Sequence, residues 1–172
     1  MLCCKILSAL LEYPDAELKA ALPEIQVMLA ADASIDETER AVLGKFLHWL
    51  GDTDLTELQE GYVQTFDLVP EHSLHLTHHL FGDDKGRGPA LIDLAEYYKD
   101  YGLQADEHEL PDYLPMILEF ASTLEKLESQ VFLNQTVKVL TQLAANLEKA
   151  GSNYAPLLRL IESRGSLARM VA

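Results

Sequence analysis

The stretch Glu109-Leu-Pro-Asp-Tyr-Leu-Pro-Met-Ile-Leu-Glu-Phe120 carries the clearest structural signal in the chain. Its two prolines, Pro111 and Pro115, do not suit a helix interior, because proline lacks the amide hydrogen that a helix uses. Both suit a helix start, where the first amides have no partner within the helix. Asp112 can accept hydrogen bonds from those amides. We therefore expect the prolines and Asp112 to open a core helix.

The residues after Pro115 support this expectation. Apolar side chains recur at spacings of three and four, which place them on one helix face: Ile117, Phe120, Leu124 and Leu127. The same corner carries three carboxylates: Glu109, Asp112 and Glu119. A rigid backbone with concentrated negative charge could serve a binding site, and the alternative is an ordinary helix start.

Helical spacing extends over nearly the whole chain. We find no sustained apolar–polar alternation and no Asn-Gly or Asp-Gly turn, so strand signals are almost absent. The length of 172 residues suits one domain with a sizeable core. The sequence therefore predicts an all-α, single-domain helical bundle of about eight to ten helices over residues 1–162, followed by a frayed tail over residues 163–172.

Capping patterns predict several helix boundaries. Asp15 and Asp54 each precede an apolar periodic segment and are expected to cap a helix. Ser34–Glu37 has the form of a capping box. Glu71–Phe81 is predicted to form one compact helix, and one or two helices are expected between the opening corner and Ala150.

The charge balance narrows the choice of partners. The chain has 28 acidic and 13 basic residues and a formal net charge of −15. Such a field repels nucleic acids and anionic membranes, so we expect no binding to nucleic acid and no direct membrane binding. The same field attracts basic peptides. A requirement for solubility alone could also explain the excess of acidic residues.

The first residues suggest a location. Met1–Leu11 lacks a secretory signal, and no stretch is long enough to cross a membrane. Cys3 and Cys4 are adjacent, which suits neither a mutual disulfide nor a metal site. Free thiols are typical of a reducing compartment, and we expect a cytoplasmic protein.

The histidine cluster is the main candidate for other chemistry. Three histidines would share a face of the predicted helix: His72, His75 and His79. Imidazole binds zinc and nickel, but no glutamate lies between these histidines in the zinc-protease pattern. They are weak metal candidates, and surface or groove-lining histidines are favoured over a metal site. A histidine-rich metal-binding protein is kept as an alternative class. No nucleophile elbow or phosphate loop is present, and we predict no enzyme and no cofactor.

Aromatic residues cluster around the middle helices: Tyr62, Phe66, Tyr97, Tyr98, Tyr101 and Tyr113. Most can be explained as core residues. Tyrosine also suits a groove that is apolar when filled and wet when empty. Aromatic walls with an acidic rim are typical of a receptor for a basic amphipathic helix.

Five motifs occur in order along residues 2–150: Leu-Leu-Glu-Tyr-Pro-Asp at 10–15, Tyr-Val-Gln-Thr-Phe-Asp at 62–67, Leu-x-Leu-Thr-x-x-Leu-x-Gly-Asp at 74–83, Arg87-Gly88, and Glu-Leu-Pro-Asp-Tyr-Leu-Pro at 109–115. Together they resemble the NarJ family of molybdenum cofactor assembly chaperones for respiratory nitrate reductase. The wider group is that of TorD/DmsD-like redox enzyme maturation chaperones.

The resemblance implies an all-helical fold without catalytic activity or cofactor. It implies binding to the N-terminal, leader-like segment of the nitrate reductase catalytic (alpha) subunit. That subunit would be kept competent for molybdenum cofactor insertion before membrane attachment. A chaperone for another molybdoenzyme is the nearest alternative, and we expect a monomer or weak dimer.

The motifs and the aromatic pattern predict a peptide-binding site of nine residues: Tyr62, Phe66, Asp67, Leu94, Tyr98, Glu109, Asp112, Tyr113 and Glu119. Apolar leader side chains would enter between the middle helices. Asp67, Glu109, Asp112 and Glu119 would supply negative potential for basic leader residues. Tyr113 stands where the wider group has a histidine.

Overall fold

The structure is a computed structural model that describes residues 1–82, 84–103 and 109–166. Ten α-helices lie in these ranges: α1 (Leu2–Leu11), α2 (Ala16–Ala31), α3 (Glu37–Asp52), α4 (Leu55–Tyr62), α5 (Leu76–Phe81), α6 (Arg87–Asp100), α7 (Leu114–Thr123), α8 (Lys126–Asn134), α9 (Val137–Lys149) and α10 (Ala155–Ser166). A π-helical turn over Val63–Asp67 continues α4, and a short 3₁₀ turn covers Pro70–His72. The described ranges contain no β-strand, only an isolated bridge between His75 and Tyr113. The all-α prediction is confirmed.

Helix α1 occupies the centre of the bundle against α7. Its sequence Leu-Cys-Cys-Lys-Ile-Leu-Ser-Ala-Leu-Leu contains one charged residue, so nearly every side chain can be buried. The Ser8 hydroxyl is also buried and donates a hydrogen bond to the Pro115 carbonyl at 2.7 Å. Helix α10 packs on α8 and α9 and also contacts α1 and α3. The corner that opens α7 is thereby fixed to the core.

Local capping determines several helix starts. The Asp15 carboxylate accepts from the Leu18 amide at 2.7 Å, and Asp54 accepts from the Thr56 amide at 2.8 Å. Both predicted caps are confirmed. The capping box at the start of α3 is formed by Asp36 and Glu39, so its assignment to Ser34–Glu37 was wrong by two residues. Both quartets have the required spacing, and the structure uses the second.

Two predicted helical segments are divided differently. Glu71–Phe81 is not one helix, because the 3₁₀ turn ends at His72 and α5 begins only at Leu76. The region from the corner to Ala150 contains three helices, α7, α8 and α9, where one or two were expected. Non-helical residues at 124–125 and 135–136 separate these helices.

The last helix continues to Ser166, beyond the predicted boundary at residue 162. Arg164 pairs with Glu39 at 2.8 Å. A side chain at Gly165 would place its Cβ 2.9 Å from the Leu133 carbonyl oxygen, so only glycine permits this close contact. The remainder of the predicted tail, residues 167–172, lies outside the described residues. No helix in the ranges described is long and apolar enough to span a membrane.

Candidate peptide-binding groove

A π-helical turn lies at the centre of the candidate site. The Leu68 amide donates to the Val63 carbonyl at 3.1 Å, five residues back, and the Thr65 hydroxyl donates to the Gly61 carbonyl at 2.7 Å. The turn buries Phe66 while Asp67 and Leu68 stay exposed. Single π-helical turns are rare and occur frequently at functional sites.

A cavity of about 220 Å³ opens beside this turn and is lined by Tyr13, Tyr62, Phe66, Asp67, Ser73, Leu74, His75, Glu109 and Tyr113. Five of the nine residues predicted for the peptide site are in this lining: Tyr62, Phe66, Asp67, Glu109 and Tyr113. They come from two segments far apart in sequence. The fold therefore brings together the motif at 62–67 and the motif at 109–115.

Two hydrogen-bonded tyrosines form the inner wall of this cavity. The Tyr62 hydroxyl donates to the Leu11 carbonyl at 2.9 Å and lies 2.9 Å from the Tyr113 hydroxyl. Because the single Tyr62 hydroxyl hydrogen is directed to Leu11, Tyr113 donates to Tyr62. Burial raises the pKa of both hydroxyl groups, so both are neutral at physiological pH. The Tyr13 ring packs edge-on against Tyr62, with centroids 5.5 Å apart.

Asp112 has a different role from the one predicted. It is 0 % exposed, and its carboxylate accepts from the Thr77 amide at 2.9 Å and from the Thr77 hydroxyl. The Arg87 guanidinium lies 3.8 Å from the same carboxylate and donates to the Thr77 hydroxyl at 3.0 Å. Asp112 thus caps the start of α5 rather than α7, whose preceding residue is Tyr113. The carboxylate is buried and is not part of the cavity lining.

The ionised form of Asp112 is favoured by its partners. Burial alone would raise the pKa of Asp112, but hydrogen bonds from His75 and Thr77 hold it below its usual range. Backbone bonds reinforce the junction: the Leu76 amide donates to the Asp112 carbonyl at 3.0 Å, and the Leu114 amide donates to the Leu74 carbonyl at 2.9 Å. The start of α5 and the start of α7 therefore form one braced unit.

His75 connects this unit to the cavity. Its Nδ1 atom lies 3.4 Å from Asp112 Oδ1, its Nε2 atom lies 3.9 Å from Glu109 Oε1, and its ring lies 5.2 Å from the Tyr113 ring. His75 was expected to be a surface or groove-lining histidine, with metal binding as the weaker alternative, and it was not among the nine predicted site residues. Its position within the family motif at 74–83 was the available signal.

The other two candidate histidines have separate partners. His72 Nδ1 donates to the Thr65 carbonyl at 3.0 Å, and His79 Nε2 donates to the Ser73 carbonyl at 2.7 Å. The expected common helix face is wrong, since His72 and His75 lie outside α5. Within the described ranges, no group of three or more His, Cys, Asp or Glu side chains is arranged to hold a metal ion.

Carboxylates surround the mouth of the cavity. Asp67 and Glu109 line it, and Glu12 lies near Glu109 and Glu119. Desolvation, together with the negative charges of Glu109 and Glu119, raises the pKa of Glu12. Tyr13 and Glu12 were missed as site residues, although both belong to the motif at 10–15.

The sequence comparisons agree with the motif positions. A family model described as "Nitrate reductase delta subunit" matches residues 12–159. The chain belongs to this family. It is 36% identical over 156 residues to the nitrate reductase molybdenum cofactor assembly chaperone NarJ of Escherichia coli (strain K12), covering 91% of this chain and 66% of that protein. The chain thus spans just under two thirds of the length of that relative.

Two further relatives are also similar over at least 90% of this chain. The probable nitrate reductase molybdenum cofactor assembly chaperone NarJ of Bacillus subtilis (strain 168) is 34% identical over 159 residues, which cover 90% of this chain and 83% of that protein. The probable assembly chaperone NarW of Escherichia coli (strain K12) is 31% identical over 163 residues, covering 94% of this chain and 68% of that protein.

Four residues predicted for the site of this family member do not line the cavity: Leu94, Tyr98, Asp112 and Glu119. Leu94 packs half-buried against the core. Tyr98 is buried and donates to the Pro111 carbonyl at 2.8 Å, so it supports the corner from inside. Glu119 is exposed on α7 and acts on the rim only through its charge near Glu12.

A second cavity of about 380 Å³ adjoins the first along α4 and is lined by Tyr13, Thr56, Gln59, Glu60, Val63, Gln64 and Leu68. Tyr13 belongs to both linings. We call these two neighbouring cavities together the groove. It runs along the outer face of α4 and the π-helical turn to the corner at Glu109.

Proposed function

We propose that this protein is a maturation chaperone for respiratory nitrate reductase. It binds the N-terminal segment of the catalytic (alpha) subunit as an amphipathic helix and keeps that subunit competent for molybdenum cofactor insertion before membrane attachment. The named relatives from Escherichia coli and Bacillus subtilis are nitrate reductase molybdenum cofactor assembly chaperones, the second as a probable one. Family membership over residues 12–159 supports the same role here.

The observation that carries the proposal is the groove itself. Tyrosine rings line its inner wall, and Asp67 and Glu109 give it negative potential. The described residues lining the two cavities include no lysine or arginine. An amphipathic helix with basic residues complements such a surface in shape and charge.

The proposed contacts follow the geometry. Five residues of the predicted site remain proposed peptide contacts: Tyr62, Phe66, Asp67, Glu109 and Tyr113. The exposed Tyr13 ring and His75 are added to them. Asp112 and Tyr98 hold the corner in place. We propose a monomer or weak dimer that acts in the cytoplasm without contact to nucleic acid or membrane.

Titration calorimetry with a synthetic peptide tests this function. The peptide copies the first roughly 15 residues of the cognate catalytic subunit, a length that gives the few helical turns such grooves bind. Binding is expected with a negative heat-capacity change, because apolar surface is buried. It should weaken with salt, because the acidic rim attracts basic residues. A scrambled peptide of equal composition is the control, and no binding of the native peptide would contradict the proposal.

A further inference from the structure

The two halves of the groove differ in chemistry. In the larger cavity the apolar side chains of Val63 and Leu68 lie among uncharged polar residues, with Glu60 as its acid. In the smaller cavity Asp67 and Glu109 lie beside the tyrosine wall. The Tyr13 ring lies between them and is 47 % exposed. A ligand that fills both halves must pass this ring.

The π-helical turn and the residue after it contribute side chains to both halves. Its hydrogen bond from the Leu68 amide to the Val63 carbonyl spans five residues, so one turn presents an extra residue compared with an α-helix. Val63 and Leu68, at the two ends of that bond, line the larger cavity, and Asp67 lines the smaller one. Consecutive residues 67 and 68 therefore serve different halves. Leu68 is 69 % exposed, so its side chain is accessible to a ligand.

We propose that the groove fixes the register of its peptide through two subsites on opposite sides of Tyr13. A large apolar side chain of the bound helix contacts Val63 and Leu68. A lysine or arginine of the same helix enters the half formed by Asp67 and Glu109. This inference rests on the proposed function and adds a specificity rule: the two ligand residues must share one helix face.

Charge complementarity supports this choice of occupant. Asp67 and Glu109 face the smaller cavity without a lysine or arginine in its described lining. A ligand cation there would also lie near the aromatic rings, where cation–π attraction adds to the ion pair. In the larger cavity Leu68 gains contact only from an apolar ligand group. An apolar helix without a cation would leave the acidic half unmatched.

The test is a coupling experiment on the full chain. Asp67→Asn and Leu68→Asn change one subsite each, and the exposed residues Asp100 and Leu127 on α6 and α8 give the matched controls Asp100→Asn and Leu127→Asn. The probes are the native 15-residue peptide and single variants of it. Each basic residue is replaced in turn by Gln, and each large apolar residue by Ala. Dissociation constants are measured for every pair by titration calorimetry.

The expected pattern is selective. One basic-to-Gln peptide should bind wild type about fivefold more weakly but should bind Asp67→Asn about as well as the native peptide does. One apolar-to-Ala peptide should bind wild type more weakly than the native peptide does. With Leu68→Asn, and with no other variant, this difference in affinity between the two peptides should disappear. The two peptide positions should be three, four or seven residues apart. With the control variants, each substituted peptide should be weakened relative to the native peptide by the same factor as with wild type.

Equal weakening of all peptides by both variants, or no coupling at all, would overturn the two-subsite arrangement while leaving the proposed function intact. Coupling of Asp67→Asn to an apolar position would do the same. If wild-type protein fails to bind the native peptide, the proposed function and this inference both fail. Thermal melts of each variant show whether it is folded, since both substitutions are at exposed positions.

Discussion

Glu109 and Asp112 lie in the same short acidic corner but occupy opposite environments. Glu109 lines the groove with its side chain partly exposed, whereas Asp112 is fully buried beneath it. One carboxylate is available to a ligand, and the other satisfies the Thr77 amide and hydroxyl at the start of α5. The comparison shows that carboxylates of one motif can either line a cavity or support the fold from within. The following predictions separate the two roles.

The largest effect is expected for Asp112→Ala. The substitution leaves the buried Thr77 amide and hydroxyl without their acceptor and Arg87 without its ion-pair partner, so the free energy of unfolding should fall by about 3 kcal/mol. Urea unfolding measures this loss. Glu109→Ala is the matched control and should change the free energy of unfolding by less than about 0.5 kcal/mol. Equal losses in the two variants would contradict the assignment of separate roles.

The tyrosine wall should contribute less than Asp112. In Tyr62→Phe the Leu11 carbonyl loses its buried donor and Tyr113 loses its acceptor, so the free energy of unfolding should fall by about 1–2 kcal/mol. Tyr13→Phe keeps the exposed ring and should change stability by less than about 0.5 kcal/mol. Thermal melts compare the two variants. A larger loss in Tyr13→Phe would mean that the buried hydroxyl pair is not what stabilises this wall.

Glu109→Gln should affect binding rather than stability. It removes one rim charge, so peptide affinity should fall by about 0.5–1 kcal/mol, and its salt dependence should become flatter. The melting temperature should stay nearly constant. Titration calorimetry at two salt concentrations, paired with thermal melts, measures both quantities. A lower melting temperature with unchanged affinity would reverse the roles assigned to Glu109 and Asp112.

The sequence predicted best those features that depend on neighbouring residues. Asp15 and Asp54 cap helices as expected, because a cap needs only its own side chain and amides two or three residues later. The segment 71–81 was mispredicted for the opposite reason. Leu74 and Leu76 bond with Leu114 and Asp112, far away in the chain, and these bonds hold residues 73–75 outside a helix.

The site was predicted in part for the same physical reason. Tyr62, Phe66 and Asp67 belong to one motif that the resemblance marked, and the structure places them in one cavity. The direction of the Asp112 side chain depends on Thr77, 35 residues earlier, and no local pattern encodes it. The π-helical turn also escaped prediction, because α- and π-helical turns share nearly the same apolar spacing over so few residues.

The smallest expected effect concerns pH and again contrasts the two carboxylates. The folded-state pKa of Asp112 is lowered, so its contribution to stability is present above the pKa of an unfolded aspartate, about 4, and is lost as the pH falls through the folded value. Asp112→Asn should therefore be less stable than wild type at neutral pH, and this gap should shrink as the pH falls from 7 to 3. Urea unfolding of both proteins at the two pH values measures the difference in their free energies of unfolding. Acid effects common to both proteins cancel in this difference. For Glu109→Gln the gap should be near zero throughout. A gap for Asp112→Asn that widens in acid would show that Asp112 is not stabilised in its ionised form, and its role as the charged brace of the groove would have to be abandoned.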